Sequence, residues 1–209
     1  MEISIKADVG HTEGRPMRAD GQRKMRALLE AALNVFGKSG VDAPVREIAE
    51  AAGVGLGTVY RHFPQRSDLI AAVFQSQVDA CAEDAAVIAA KHEPAEALSL
   101  WMQRYVDFIG TKQGLAAALH SGDPAYSALP KYFDERLRPA LKGLLDEAVR
   151  AQVIRPGIDA KELLGAVGTL CCQGPHMNLD AARRMVSLLI DGMRYGSMEW
   201  QETDRNHPY

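Results

Sequence analysis

Cysteine is scarce: three among 209 residues, an odd number, which argues against a disulfide framework and fits a reducing, cytoplasmic setting. No run of about 18 apolar residues occurs, so no membrane span is expected. The opening MEISIKADVGHTEGRP has no apolar core of the kind a secretory signal needs. Nucleophile motifs, a glycine-rich phosphate loop in a βαβ setting and paired metal-ligand spacings are also missing. Enzyme chemistry, a cofactor and a metal centre are therefore not expected. Net charge is low as well, at −3, which taken alone discourages a nucleic-acid reading.

The distribution of that charge reverses the inference. Residues 15–66 hold nine Lys/Arg against five Asp/Glu, a balance of +4. Residues 67–209 hold fourteen against nineteen, a balance of −5. A basic head on an acidic body is what a DNA reader with a separate regulatory body should show. The length suits one compact unit, or a small domain plus a larger one.

The head is organised around VREIAEAAGVGLGTVYRHFPQR, residues 45–66. Val45, Ile48, Ala49 and Ala52 recur at i, i+3, i+4 and i+7, one apolar helical stripe. Gly53 ends that helix, because glycine takes the left-handed conformation that a sharp C-terminal turn needs. Val54 fills the angle, Val59 and Phe63 anchor a second helix, and Pro64 stops it. Two short helices with a tight turn make a helix-turn-helix, whose second helix enters the DNA major groove. Thr58, Tyr60, Arg61 and His62 lie on the outward face of that helix, groups that grip phosphates and base edges. The glycines 53, 55 and 57 follow a helix rather than a strand, against a nucleotide-binding loop.

Upstream, residues 1–17 read as a flexible tail. Arg15, Arg18, Arg23, Lys24 and Arg26 cluster at the entry to a first helix, available for salt-dependent phosphate contacts or simply solvated. That helix presents Met25, Leu28, Leu29, Ala32, Leu33 and Phe36 on one face and stops at Gly40. Pro44 is expected to start the next helix.

ALLEAALNVFGKSGVDA followed by VREIAEAAGVGLGTVYRHFPQRSDLIAAV resembles the tetracycline-repressor (TetR) family of transcriptional regulators, specifically over residues 22–74. The resemblance implies an all-α fold of about nine helices. A three-helix DNA-binding domain would span 18–66, a larger helical effector-binding and dimerisation domain 67–196, and a polar tail 197–209. It implies a repressor that binds a palindromic operator in double-stranded DNA as a homodimer and is released by a small-molecule effector. Leu56, Gly57, Thr58, Tyr60 and Arg61 would face the groove. Arg46, His62 and Arg66 would hold the backbone, with Arg46 able to reach a base. Three positions depart from the family pattern. Pro44 and Val45 stand where threonine or serine usually starts the second helix, Gly55 replaces a capping serine, and Arg66 replaces lysine near a phosphate.

In the body, Ser67 reads as the N-cap of a long helix reaching about Ala90. After Pro94, Leu98, Trp101, Tyr105, Phe108 and Ile109 share a face, either as plain core or as the wall of an apolar ligand pocket. Trp101, Tyr105, Phe108, His120, Cys172 and His176 are the candidate ligand contacts. Tyr132–Val153 reads as a helix containing Pro139. Ala160–Cys172 and Leu179–Tyr195 are rich in small and aliphatic residues (Gly165, Ala166 and Gly168; Leu188, Leu189 and Gly192). In the family such a pair forms a four-helix bundle with the symmetry mate. Adjacent Cys171 and Cys172 with His176 match a zinc site poorly and read as buried thiols. A metal- or redox-responsive regulator using Cys171 and Cys172 remains the alternative, and a helical protein that merely retains the head is the other.

Overall fold

The computed structural model describes the backbone of residues 14–111, 115, 118–119, 121–171 and 178–203, with side chains between 21 and 194. The described residues form eight α-helices, one 3-10 helix and no strand. The helices are α1 Gly14–Ser39, α2 Val45–Ala51, α3 Leu56–His62, α4 Arg66–Ala89, α5 Pro94–Thr111, α6 Leu129–Arg150, α7 Ala160–Cys171 and α8 Leu179–Thr203. The 3-10 helix is Pro124–Tyr126. Against the nine helices expected, eight are described; the segment 112–120 lies largely outside the described residues.

The head is α1–α3. The stripe read in α1 works as a core face: Leu28, Ala32 and Phe36 are buried, with Met25, Leu29 and Leu33 packed beside them. Gly40 adopts φ +78° and donates its N–H to the Phe36 carbonyl, ending α1. Two boundaries differ from expectation. Residues 14–17, expected in the tail, are helical: Pro16 stands in the first turn, where its missing N–H is tolerated, and Arg15 and Met17 are good helix formers. Pro44 is the residue before α2, not its first residue; its extended ψ of 131° turns the chain while its carbonyl takes the Glu47 N–H at 3.0 Å.

The body is α4–α8, with α4 packed chiefly on α6 and α5, and α5 also on α8. The N-cap of helix α4 lies two residues earlier than expected. Gln65, not Ser67, precedes the helix, because its N–H bonds Asp68 Oδ2 at 2.9 Å, the return half of a capping box. Helix α6 ends at Arg150, short of the expected Val153. Gln152 takes the left-handed conformation (φ 58°), its N–H bonds the Val149 carbonyl, and the Val153 N–H bonds that of Ala148. That pair of bonds is a Schellman stop without glycine. Helix α8 continues to Thr203, beyond the tail boundary expected at 196, since SMEWQET contains neither glycine nor proline. Where α5 meets α8 the fit is tight. A Cβ on Gly110 would lie 2.7 Å from Leu179 Cδ1.

Candidate nucleic-acid interface

The turn between α2 and α3 is built as the sequence predicts. Gly53, at φ +66°, donates to the Glu50 carbonyl at 3.1 Å, and Val54 donates to that of Ala49 at 3.0 Å. Both are Schellman bonds, and they satisfy carbonyls that the end of α2 would otherwise leave orphaned. Gly55 then precedes α3 with extended geometry and no side-chain cap; its carbonyl accepts the Thr58 N–H at 2.9 Å and the Val59 N–H at 3.4 Å.

Val59 pins α3 inward, fully buried against Ile48 and Ala49. The opposite face is open. Leu56 is 41% and Tyr60 50% exposed, four residues apart on one side of the helix. Gly57, Arg61 and His62 are exposed and Thr58 is half-buried. Arg61 and His62 lie in the last turn of α3, where the helix dipole favours a cation. Arg46 projects from α2 and, among the described residues, pairs with Glu50 at 2.9 Å, a solvent-exposed i,i+4 contact worth a few tenths of a kcal/mol and readily exchanged for a phosphate. Arg23, Lys24 and Arg26 on α1 are exposed on the same head.

Arg66 is placed differently from the expectation. Its Nη1 donates to the main-chain carbonyls of Val41 and Ala43, the latter at 2.7 Å. The guanidinium reaches inward to the turn before α2. Nearby, burial first and then the Asp123 charge raise the Tyr126 hydroxyl pKa above its ordinary value, and the Arg66 cation opposes them.

The aromatic face of α5 is core. Trp101 and Tyr105 stack at 5.8 Å between centroids, Tyr105 and Phe108 at 6.0 Å, and Phe133 of α6, not foreseen from sequence, stacks on Phe108 at 6.1 Å. The polar tips are satisfied internally: Trp101 Nε1 donates to the Cys81 carbonyl at 2.8 Å, and the Tyr105 hydroxyl to that of Leu164 at 3.3 Å. Described cavities lie elsewhere. The largest, about 750 Å³, is a groove where α1 and the end of α3 meet α4 and Tyr132. Two smaller ones flank Leu145 and Ile158 between α6 and the start of α7. Cys171 is buried. His120, Cys172 and His176 lie outside the described residues.

Among known proteins, residues 28–73 match the family of bacterial regulatory proteins called tetR, and residues 93–195 match the C-terminal domain of SbtR-like transcriptional regulators. A TetR transcriptional regulator from Streptomyces coelicolor is 34% identical, with a TM-score of 0.70 over 81% of this chain and 97% of that one. The TetR transcription regulatory protein from Mycobacterium vanbaalenii is 33% identical, with a TM-score of 0.65 over 86% and 99%. An HTH-type transcriptional regulator from Staphylococcus aureus is 38% identical over 64 residues, which cover 30% of this chain and 35% of that regulator. These relatives are regulators rather than enzymes, and the N-terminal match coincides with the exposed α3 and the turn that aims it. The chain belongs to the TetR family of DNA-binding transcriptional regulators.

Proposed function

We propose that this regulator is a cytoplasmic repressor, binding a palindromic operator as a homodimer and released by a small-molecule effector. The observation that carries the dimer is on α8. Leu188 is 65% and Met185 45% exposed, three residues apart on one face. Gly165 and Gly168 of α7 and Gly192 of α8 have nothing beside them where a side chain would stand, leaving room for close helix approach. A second copy covering these faces would complete a four-helix bundle. It would also present two copies of α3 to successive major-groove turns.

In this reading Leu56, Gly57, Thr58, Tyr60 and Arg61 face the groove, Arg61 reading a base edge, while Arg46 and His62 hold phosphates. The head would span 18–66 and the body 67–196. An effector that prefers the dimer form with the wrong spacing of its two α3 helices lowers operator affinity by that difference in preference. Effector contacts at Trp101, Tyr105 and Phe108 would require the ligand to open the packed cluster that these rings form.

The test is footprinting with a salt titration on the DNA upstream of the protein's own gene. Protection of a two-fold-symmetric site supports the reading, while weak protection uniform along the fragment counts against it. Arg61→Ala should cost about 1–3 kcal/mol at one operator position and relax preference there. Tyr60→Ala should weaken all sequences alike. Equal loss of specificity from both would show the roles to be wrongly assigned.

A further inference from the structure

We infer that Arg66 is a positioning residue for DNA binding: it ties the α1–α2 turn to the first turn of α4 and thereby sets where α2 and α3 stand on the body. The assignment rests on DNA binding alone, not on the repressor reading.

Arg66 is the first residue of α4, where a cation opposes the helix dipole. Its place there makes sense only if the guanidinium finds strong acceptors. It has two, the carbonyls of Val41 and Ala43, 25 and 23 residues away in sequence. Among the described residues no main-chain N–H bonds to either carbonyl. Pro44, the next residue, has no N–H of its own, and Ala43 is buried. Arginine therefore supplies what the turn's own backbone does not, and an unserved buried carbonyl is costly.

The turn leads directly into α2, whose Ile48 and Ala49 pack with Val59 of α3 in one core. Any shift of the turn relative to α4 is thus carried to the reading helix. The 3-10 helix Pro124–Tyr126 also packs on α4, and the Tyr126 hydroxyl lies within electrostatic reach of Arg66. Three elements meet at this side chain: the head's turn, the helix that carries the head, and a piece of the body. A phosphate anchor needs its cation directed outward, whereas this guanidinium commits Nη1 inward. Lysine, with a shorter reach and a tetrahedral head, reproduces the contact only in part.

Two measurements on full-length wild type, Arg66→Ala and Arg66→Lys test this. The first is hydrogen exchange across residues 41–47 in the DNA-free protein. The second is a salt titration of binding to a random-sequence duplex. For a clamp, exchange speeds about tenfold in Arg66→Ala, as expected for the lost hydrogen bonds, and by a smaller factor in Arg66→Lys. Affinity for the duplex falls while the salt slope stays at the wild-type value. A slope flattened by about one phosphate contact in Arg66→Ala overturns the inference in favour of a phosphate anchor. So does unchanged exchange in the free variants. Should Arg66→Ala not fold, exchange in Arg66→Lys decides. Failure to find a symmetric operator would sink the repressor reading and leave this comparison intact.

Discussion

The Tyr132 hydroxyl of α6 lies 2.8 Å from both carboxylate oxygens of Asp79 on α4, and Arg136 Nε closes on the same carboxylate at 2.7 Å. Tyr132 and Asp79 line the groove between head and body, so this cluster fixes α6 to the helix on which the head is mounted. Burial, then the Asp79 hydrogen bond and charge, raise the Tyr132 pKa above its ordinary 10.0, with Arg136 opposing.

Tyr132→Phe should lower stability by about 1 kcal/mol at neutral pH, one hydrogen bond to a charged partner at a half-buried site. The raised pKa means the folded state holds the phenol proton more tightly than the unfolded chain. Its contribution is complete below pH 10 and disappears as pH rises through the folded value. Urea denaturation of both proteins along a pH series should show the gap narrowing only on the alkaline side. A gap of constant size up to pH 11 would remove the linkage.

Two left-handed residues give opposite expectations. Gly53→Ala meets no steric neighbour, so its cost is purely conformational, about 1–2 kcal/mol at φ +66°. Gln152→Gly relieves the same conformation at the end of α6 and should stabilise by about 0.5 kcal/mol after the entropy of the unfolded glycine is counted. Thermal melts of the two variants should move in opposite directions.

Gly55 offers a gain of a different kind. Its backbone is already extended before α3, and an added Cβ comes no closer than 4.0 Å to Thr58 Oγ1. Gly55→Ser should cap α3 and add a few tenths of a kcal/mol. A measurable loss of thermal stability would show that the site is more crowded than the geometry indicates.

Trp101→Ala should cost about 3–5 kcal/mol, the value for a large aromatic removed from a packed core, and Tyr105→Phe about 1 kcal/mol. Denaturant titration of the effector-free protein reads both. A near-neutral Trp101→Ala would mean that the ring lines an open ligand wall instead of holding the core.

Leu188→Arg places a charge at the centre of the exposed α8 face. Sedimentation should show the proposed dimer lost, with little change in the helical signal, and operator affinity should fall because two heads would no longer act together. A dimer unaffected by Leu188→Arg would put the interface elsewhere.

The helix-turn-helix was legible because its determinants are local. Ile48, Ala49, Gly53, Val59 and Phe63 act within a few residues of one another, through helical periodicity and a single left-handed glycine. The same holds for the α1 stripe ending at Gly40, and it is why the family resemblance sits in the head. Helix ends proved less legible. Asp68 chooses Gln65 over Ser67, and Gln152 ends α6 in the left-handed conformation without a glycine, both through main-chain bonds that residue type alone does not announce.

By itself, then, the sequence determined an all-α chain with a DNA-reading head, since 3.6-residue periodicity and turn chemistry are properties of short windows. Only the tertiary structure decided which way long side chains point. It turned Arg66 inward to Val41 and Ala43, stacked Trp101, Tyr105 and Phe108 with Phe133, and joined Asp79 to Tyr132 across 53 residues. The reason is physical. An arginine, a tryptophan or an aspartate carries the same hydrogen-bonding groups wherever it stands, and its partner is whichever acceptor or donor the packing of distant helices leaves within reach.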